Sequence, residues 1–74
     1  MDKHTTTSLK GIYQEYIGKR LQIEADLNIL LDYPQGVGDH AVHSKDIKEK
    51  LVELEHVTSM IDLINSQYGD KLSD

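Results

Sequence analysis

The chain has 74 residues, no cysteine, tryptophan or phenylalanine, and a net charge of −5 from 13 acidic against 8 basic side chains. A domain this short buries only about 60–65% of its unfolded surface, and without cysteine neither disulfides nor thiolate zinc can reinforce it, which leaves self-association. The acidic balance, with four tyrosines as all the aromatic area, is unsuited to an extended DNA or RNA polymer.

Met1 to Thr7 is polar, with three successive β-branched threonines and no apolar anchor, and is expected to be a disordered arm (residues 1–7). It carries none of the apolar core of a signal peptide, and no stretch of the chain approaches a membrane span. The expectation is a cytoplasmic protein without membrane contact. Thr7 or Ser8 offers a hydroxyl that can cap a following helix.

From Leu9 the pattern is helical. Leu9, Tyr13, Tyr16, Arg20, Ile23, Leu27 and Leu30 recur at spacings of four and three, which predicts an amphipathic helix over residues 8–32, about 36 Å long. Ile12 and Leu31 widen this face, and Ile17 and Leu21 flank it. Arg20 interrupts the stripe. Its stem can pack while the guanidinium reaches solvent or a helix-two carboxylate such as Glu53 or Glu55, or it can bind an anion. On the back of the helix Gly11, Gly18 and Ala25 repeat by sevens. Each glycine costs about 1 kcal/mol relative to alanine in an exposed helix. They are either tolerated surface positions or a second packing face.

The periodicity stops at Tyr33-Pro34-Gln35-Gly36-Val37-Gly38-Asp39-His40. Pro34 lacks an N–H and turns Tyr33 away from helical dihedrals, so the loop is expected over residues 33–43. Gly36 and Gly38 satisfy turn dihedrals or, ahead of a helix N-terminus, expose amides to an anion. Neither a preceding strand nor a Gly-Lys-Ser/Thr continuation makes this a P-loop. His40 and His43, with Asp39 as an oxygen donor, could hold a metal only with a further ligand from His56 or His4, neither of which has a forced position, so no metal and no cofactor are expected.

Ser44 is the expected N-cap of a second helix over 44–68, with a start near Asp39 as the alternative; Gly69 is its expected C′ residue and 70–74 a flexible tail. Ile47, Leu51, Leu54, Thr58, Ile61, Asn65 and Tyr68 form its predicted seam, broadened by Val57 and Ile64. Thr58 and Asn65 are polar seam positions that can set register. Val52, Met60 and Leu63 point away from that seam and imply a further partner.

The linker, with Ile47 and the Glu/Lys-rich helix after it, resembles small proteins of large tailed bacteriophages. Their linker reads approximately Asn-Pro-x-Gly-Ile/Val-Gly-Asp/Glu-His between two helices; the similarity covers roughly residues 27–68, and Tyr33 stands where Asn is frequent. Most such proteins have no assigned activity, and the resemblance implies a phage context.

The expected fold is all-α: an antiparallel two-helix hairpin, residues 8–69, assembling into a helical-bundle or coiled-coil-like homo-oligomer. Gly11, Gly18, Ala25, Val52, Met60 and Leu63 are the expected interface. Nothing in the chain suggests a nucleophile or a rigid catalytic set, so no enzyme activity is expected. The expected function is counter-defence, sequestering a small anionic nucleotide through Arg20, Tyr13, Tyr16, Gly36, Gly38 and His40. The alternative is an interaction or assembly module that inhibits or scaffolds a host or phage protein.

Overall fold

The computed structural model describes residues 2–32 and 40–72, with residues 40–42 described as helical backbone only. Two helices, α1 (Lys3–Leu31) and α2 (His40–Leu72), make up the described chain. At about 1.5 Å per residue they are roughly 44 and 50 Å long. The molecule measures 55 × 15 × 14 Å, so they lie side by side. The result is an all-helical hairpin.

α1 starts five residues earlier than the arm-plus-helix reading expects. Asp2 is its N-cap (φ −76°, ψ 166°), and its Oδ1 accepts the Thr5 N–H at 2.8 Å. The threonine hydroxyls complete the turn instead of unravelling it. Thr6 Oγ1 donates to the Asp2 carbonyl at 3.0 Å and Thr7 Oγ1 to the Lys3 carbonyl at 2.9 Å, the back-bonding that lets β-branched hydroxyl residues sit in a helix. Thr7 and Ser8 are therefore helix interior, not caps. At the other end the Asp32 N–H donates to the Asn28 carbonyl at 3.1 Å.

α2 is also longer than residues 44–68. It begins at His40, so Ser44 is interior, and it runs through Gly69 to Leu72. In an antiparallel hairpin the start of α1 lies beside the end of α2. The two extensions cover one another: Thr6 and Leu9 are half-buried, as are Lys71 and Leu72. Lys71 in the last turn also complements the helix dipole. The Pro34, Gly36 and Gly38 expectations fall outside the described residues.

The core is small. Ile23 and Leu27 of α1 pack against Val57 and Ile61 of α2, with Tyr13, Tyr16, Ile17, Ile47 and Leu54 around them; Ile64 is buried too. In α1 every position of the expected stripe, Leu9, Tyr13, Tyr16, Arg20, Ile23, Leu27 and Leu30, is buried or half-buried, and Thr6, Lys10, Ile17 and Asp26 are half-buried beside it. Ile12 and Leu31, expected to widen it, are exposed, and Ile17 does so instead.

α2 corrects its expected seam at alternate positions. The seam runs Ile47, Lys50, Leu54, Val57, Ile61 and Ile64, whereas Leu51, Asn65 and Tyr68 are exposed and Thr58 is half-buried. Two interleaved 4,3 series share Ile47, Leu54 and Ile61. The partner helix selects the one holding Lys50, because that series buries Val57 and Ile64 where the other would bury Thr58 and Asn65; Lys50 Nζ then lies 3.4 Å from Asp26 Oδ2 of α1 and 3.5 Å from Glu53 Oε2. Asp26 and then Glu53 hold the Lys50 ammonium above its ordinary range.

Candidate functional site

With a seam that alternates by three and four, the residues on either side of it in each helix define two flanks of the hairpin. In an antiparallel pair the same flank of each helix meets. One flank carries Ile12, Lys19 and Asp26 from α1 with Asp46, Glu53 and Met60 from α2. The other carries Ile17, Glu24 and Leu31 with Leu51, Thr58 and Asn65. The first flank forms an open groove of about 300 Å³ lined by Asp26, Ile29, Leu30, Asp46, Glu49 and Lys50. Three carboxylates against one ammonium repel a phosphate. A second open hollow, about 460 Å³, lies on the outer surface of α2 between Lys45, Lys48, Glu49, Val52 and Glu53.

The residues expected to bind a nucleotide are distributed as follows. Tyr13 and Tyr16 are half-buried against the core. The Lys19 ammonium stands 5.2 Å from the centre of the Tyr16 ring, a cation–π contact, and is 3.5 Å from Glu15 Oε1. Arg20 is half-buried in the seam, but its Nε is 3.7 Å from Glu24 Oε1, one turn along its own helix, and not with a helix-two carboxylate. Such an i,i+4 pair forms without help from the partner helix. Gly36, Gly38 and the His40 side chain lie outside the described residues. Arg20 is separated from the end of α1 by about 16 Å at the helical rise.

The expected interface residues are placed more simply. Gly11, Gly18 and Ala25 form the outermost line of α1, exposed, and a Cβ at either glycine would meet open space. Val52 and Leu63 are exposed, but Met60 is half-buried. It occupies the flank beside the seam, which accounts for its partial burial.

Sequence spacing missed Lys50 and Asp26 as a cross-helix pair, and Leu51 as an exposed residue. A lysine exactly one seam step after Ile47 was the available signal. Among the described residues no polar or charged side chain is buried, and no three histidine or carboxylate side chains could hold a metal ion together. None of the described helices is long and apolar enough to cross a membrane. What the surface does offer is apolar area: Ile12, Leu21, Ile29, Leu31, Leu51, Val52, Leu63 and Tyr68 are exposed. No protein-family model matches the chain, and no curated protein or solved structure shows significant similarity to it.

Proposed function

We propose that this chain is a non-enzymatic helical interaction module, whose outer apolar side chains are taken up by another polypeptide. One observation carries the reading: among the described residues, more large apolar side chains are exposed than buried, eight against five. Scattered single exposures are ordinary, but this proportion on a rod two helices wide is that of an interaction surface. Together with the linker resemblance, the proposal extends to a phage-type protein that inhibits or scaffolds a host or phage protein.

Docking is better supported than nucleotide capture. Tyr13 and Tyr16 contribute to the hairpin's own core, and the Arg20 guanidinium already has Glu24 as its neighbour. The open groove beside Asp26 is acidic, the wrong sign for a phosphate.

The test joins two measurements: lysine cross-linking in the expressing cell, read by mass spectrometry, and calorimetric titration of the purified protein with cyclic di- and trinucleotides. The reading predicts intermolecular cross-links to a polypeptide and no heat from the nucleotides. Nucleotide binding abolished by Arg20→Ala, with cross-links confined to single chains, would overturn it in favour of sequestration.

A further inference from the structure

The two flanks of the hairpin differ in charge. On the groove side Asp26, Asp46, Glu49 and Glu53 stand against Lys50 and against Lys19, itself 3.5 Å from Glu15, with Lys45 at 4.0 Å from Glu49 on the outer edge. On the opposite side the charges cancel. The Arg20–Glu24 pair neutralises itself, Lys10 and Lys48 on that side balance Glu55 and Asp62, and its other polar residues include Gln14, Asn28, Thr58 and Asn65, which are uncharged. This neutral flank holds Leu21 (62% exposed), Leu31 and Leu51 (52% exposed), with half-buried Ile17 at its edge.

The Lys50–Asp26 contact sets the level of one helix against the other. By that register Leu51 stands at the axial level of Ala25, between those of Leu21 and Leu31. From Ile17 to Leu31 the strip is about 21 Å long at the helical rise. Leucines on either side of a central leucine suit a two-fold axis, because Leu21 of one copy can meet Leu31 of the other across it. An isologous contact needs that self-complementarity.

Surface area is sufficient for such a contact. The chain exposes 5525 Å² at 8.4 kDa. A folded monomer of that mass exposes about 4600 Å² by the usual scaling, so the excess is about 900 Å². A standard stable interface covers about 800 Å² on each partner. We propose, building on the interaction-module reading, that the partner is a second copy of this chain, docked two-fold on the neutral side through Leu21, Leu31 and Leu51. The product is a four-helix bundle with both acidic flanks turned to solvent. A like pairing through the groove side would bring its carboxylates together. The line of Gly11, Gly18 and Ala25 offers little apolar area to bury.

Sedimentation equilibrium of the full chain at micromolar concentration tests this, with circular dichroism to confirm that each variant stays helical. The wild type should have twice the chain mass. Leu51→Glu and Leu21→Glu alter exposed positions of the hairpin and should raise the dimer dissociation constant about 30-fold or more, as loss of a central anchor does. Ile29→Glu, equally exposed but on the acidic side, and Gly18→Leu should leave the dimer intact. A wild type that is monomeric up to about 100 µM, an assembly of any other size, or a dimer insensitive to both leucine variants overturns the proposal. A monomer that instead binds a different polypeptide through Leu51 also overturns it, while leaving the interaction-module reading standing.

Discussion

Replacing Ile61 with alanine tests the hairpin core against its surface most sharply when Leu63→Ala is the control. The two positions are two residues apart on one helix, and each substitution removes an aliphatic side chain. Ile61 is 3% exposed at the centre of the core; Leu63 is 50% exposed. Truncating a fully buried isoleucine costs about 2–5 kcal/mol, the upper values arising where a cavity persists. A layer only two helices thick can collapse or admit water around the vacancy, so about 2–3 kcal/mol is expected for Ile61→Ala. Leu63→Ala loses about half of the transfer term and leaves no cavity, which puts its cost at roughly 1 kcal/mol or less. In a domain of this size 1 kcal/mol shifts the melting temperature by about 4–8 °C. Ellipticity at 222 nm against temperature, at one protein concentration, should show Ile61→Ala melting about 10–20 °C below wild type and Leu63→Ala within about 8 °C of it. Equal losses for the two variants would refute the placement of the core.

The remaining predictions concern the helix ends, the cross-helix pair and the glycine line. Accepting the Thr5 amide holds the Asp2 carboxyl below the usual carboxylate range, so its contribution to the first turn is present above about pH 3.9 and lost as pH falls through the depressed folded value. Thr5 amide exchange referenced to an unstructured peptide should therefore lose protection in acid, and Asp2→Ala should show that loss already at neutral pH. The raised Lys50 ammonium works in the opposite sense: its contribution is complete below about pH 10.4 and lost as pH rises through the elevated folded value. Stability of the wild type between about pH 9 and 12 should fall relative to Lys50→Met, and parallel profiles would remove the Asp26 pair from the account. Gly18→Ala places a methyl in open space on an exposed helical face and should raise stability by about 1 kcal/mol; a loss would mean that close packing occupies that face.

The hairpin was legible because the 4,3 spacing of α1 admits one seam only. Tyr13, Tyr16, Ile23 and Leu27 all fall where that spacing sets them. In α2 the spacing was ambiguous. Leu51 is a better seam residue than Lys50 by hydropathy alone, and the choice is reversed further along, where the series with Lys50 buries Val57 and Ile64 instead of Thr58 and Asn65; Lys50 is then met by Asp26, 24 positions away. The helix ends were misread for a related reason. Thr5-Thr6-Thr7 looks like an arm when judged by composition, but two of its hydroxyls bond to carbonyls four residues back. For Arg20 the sequence admits solvent, a helix-two carboxylate or an anion, whereas its neighbour in the structure is local, Glu24 of the same helix. The neutral flank was invisible until the seam of α2 was known, since shifting one seam position turns Leu51 from core to surface.

The concentration dependence of thermal unfolding tests the central claim most directly. A chain whose exposed leucines are covered by a second copy gains stability by mass action, and its melting temperature must rise with protein concentration. Ellipticity melts of the wild type from about 1 to 100 µM should shift upward steadily, and the same series for Leu51→Glu should be flat. A wild type that melts cooperatively at one temperature across that whole range would contradict the account.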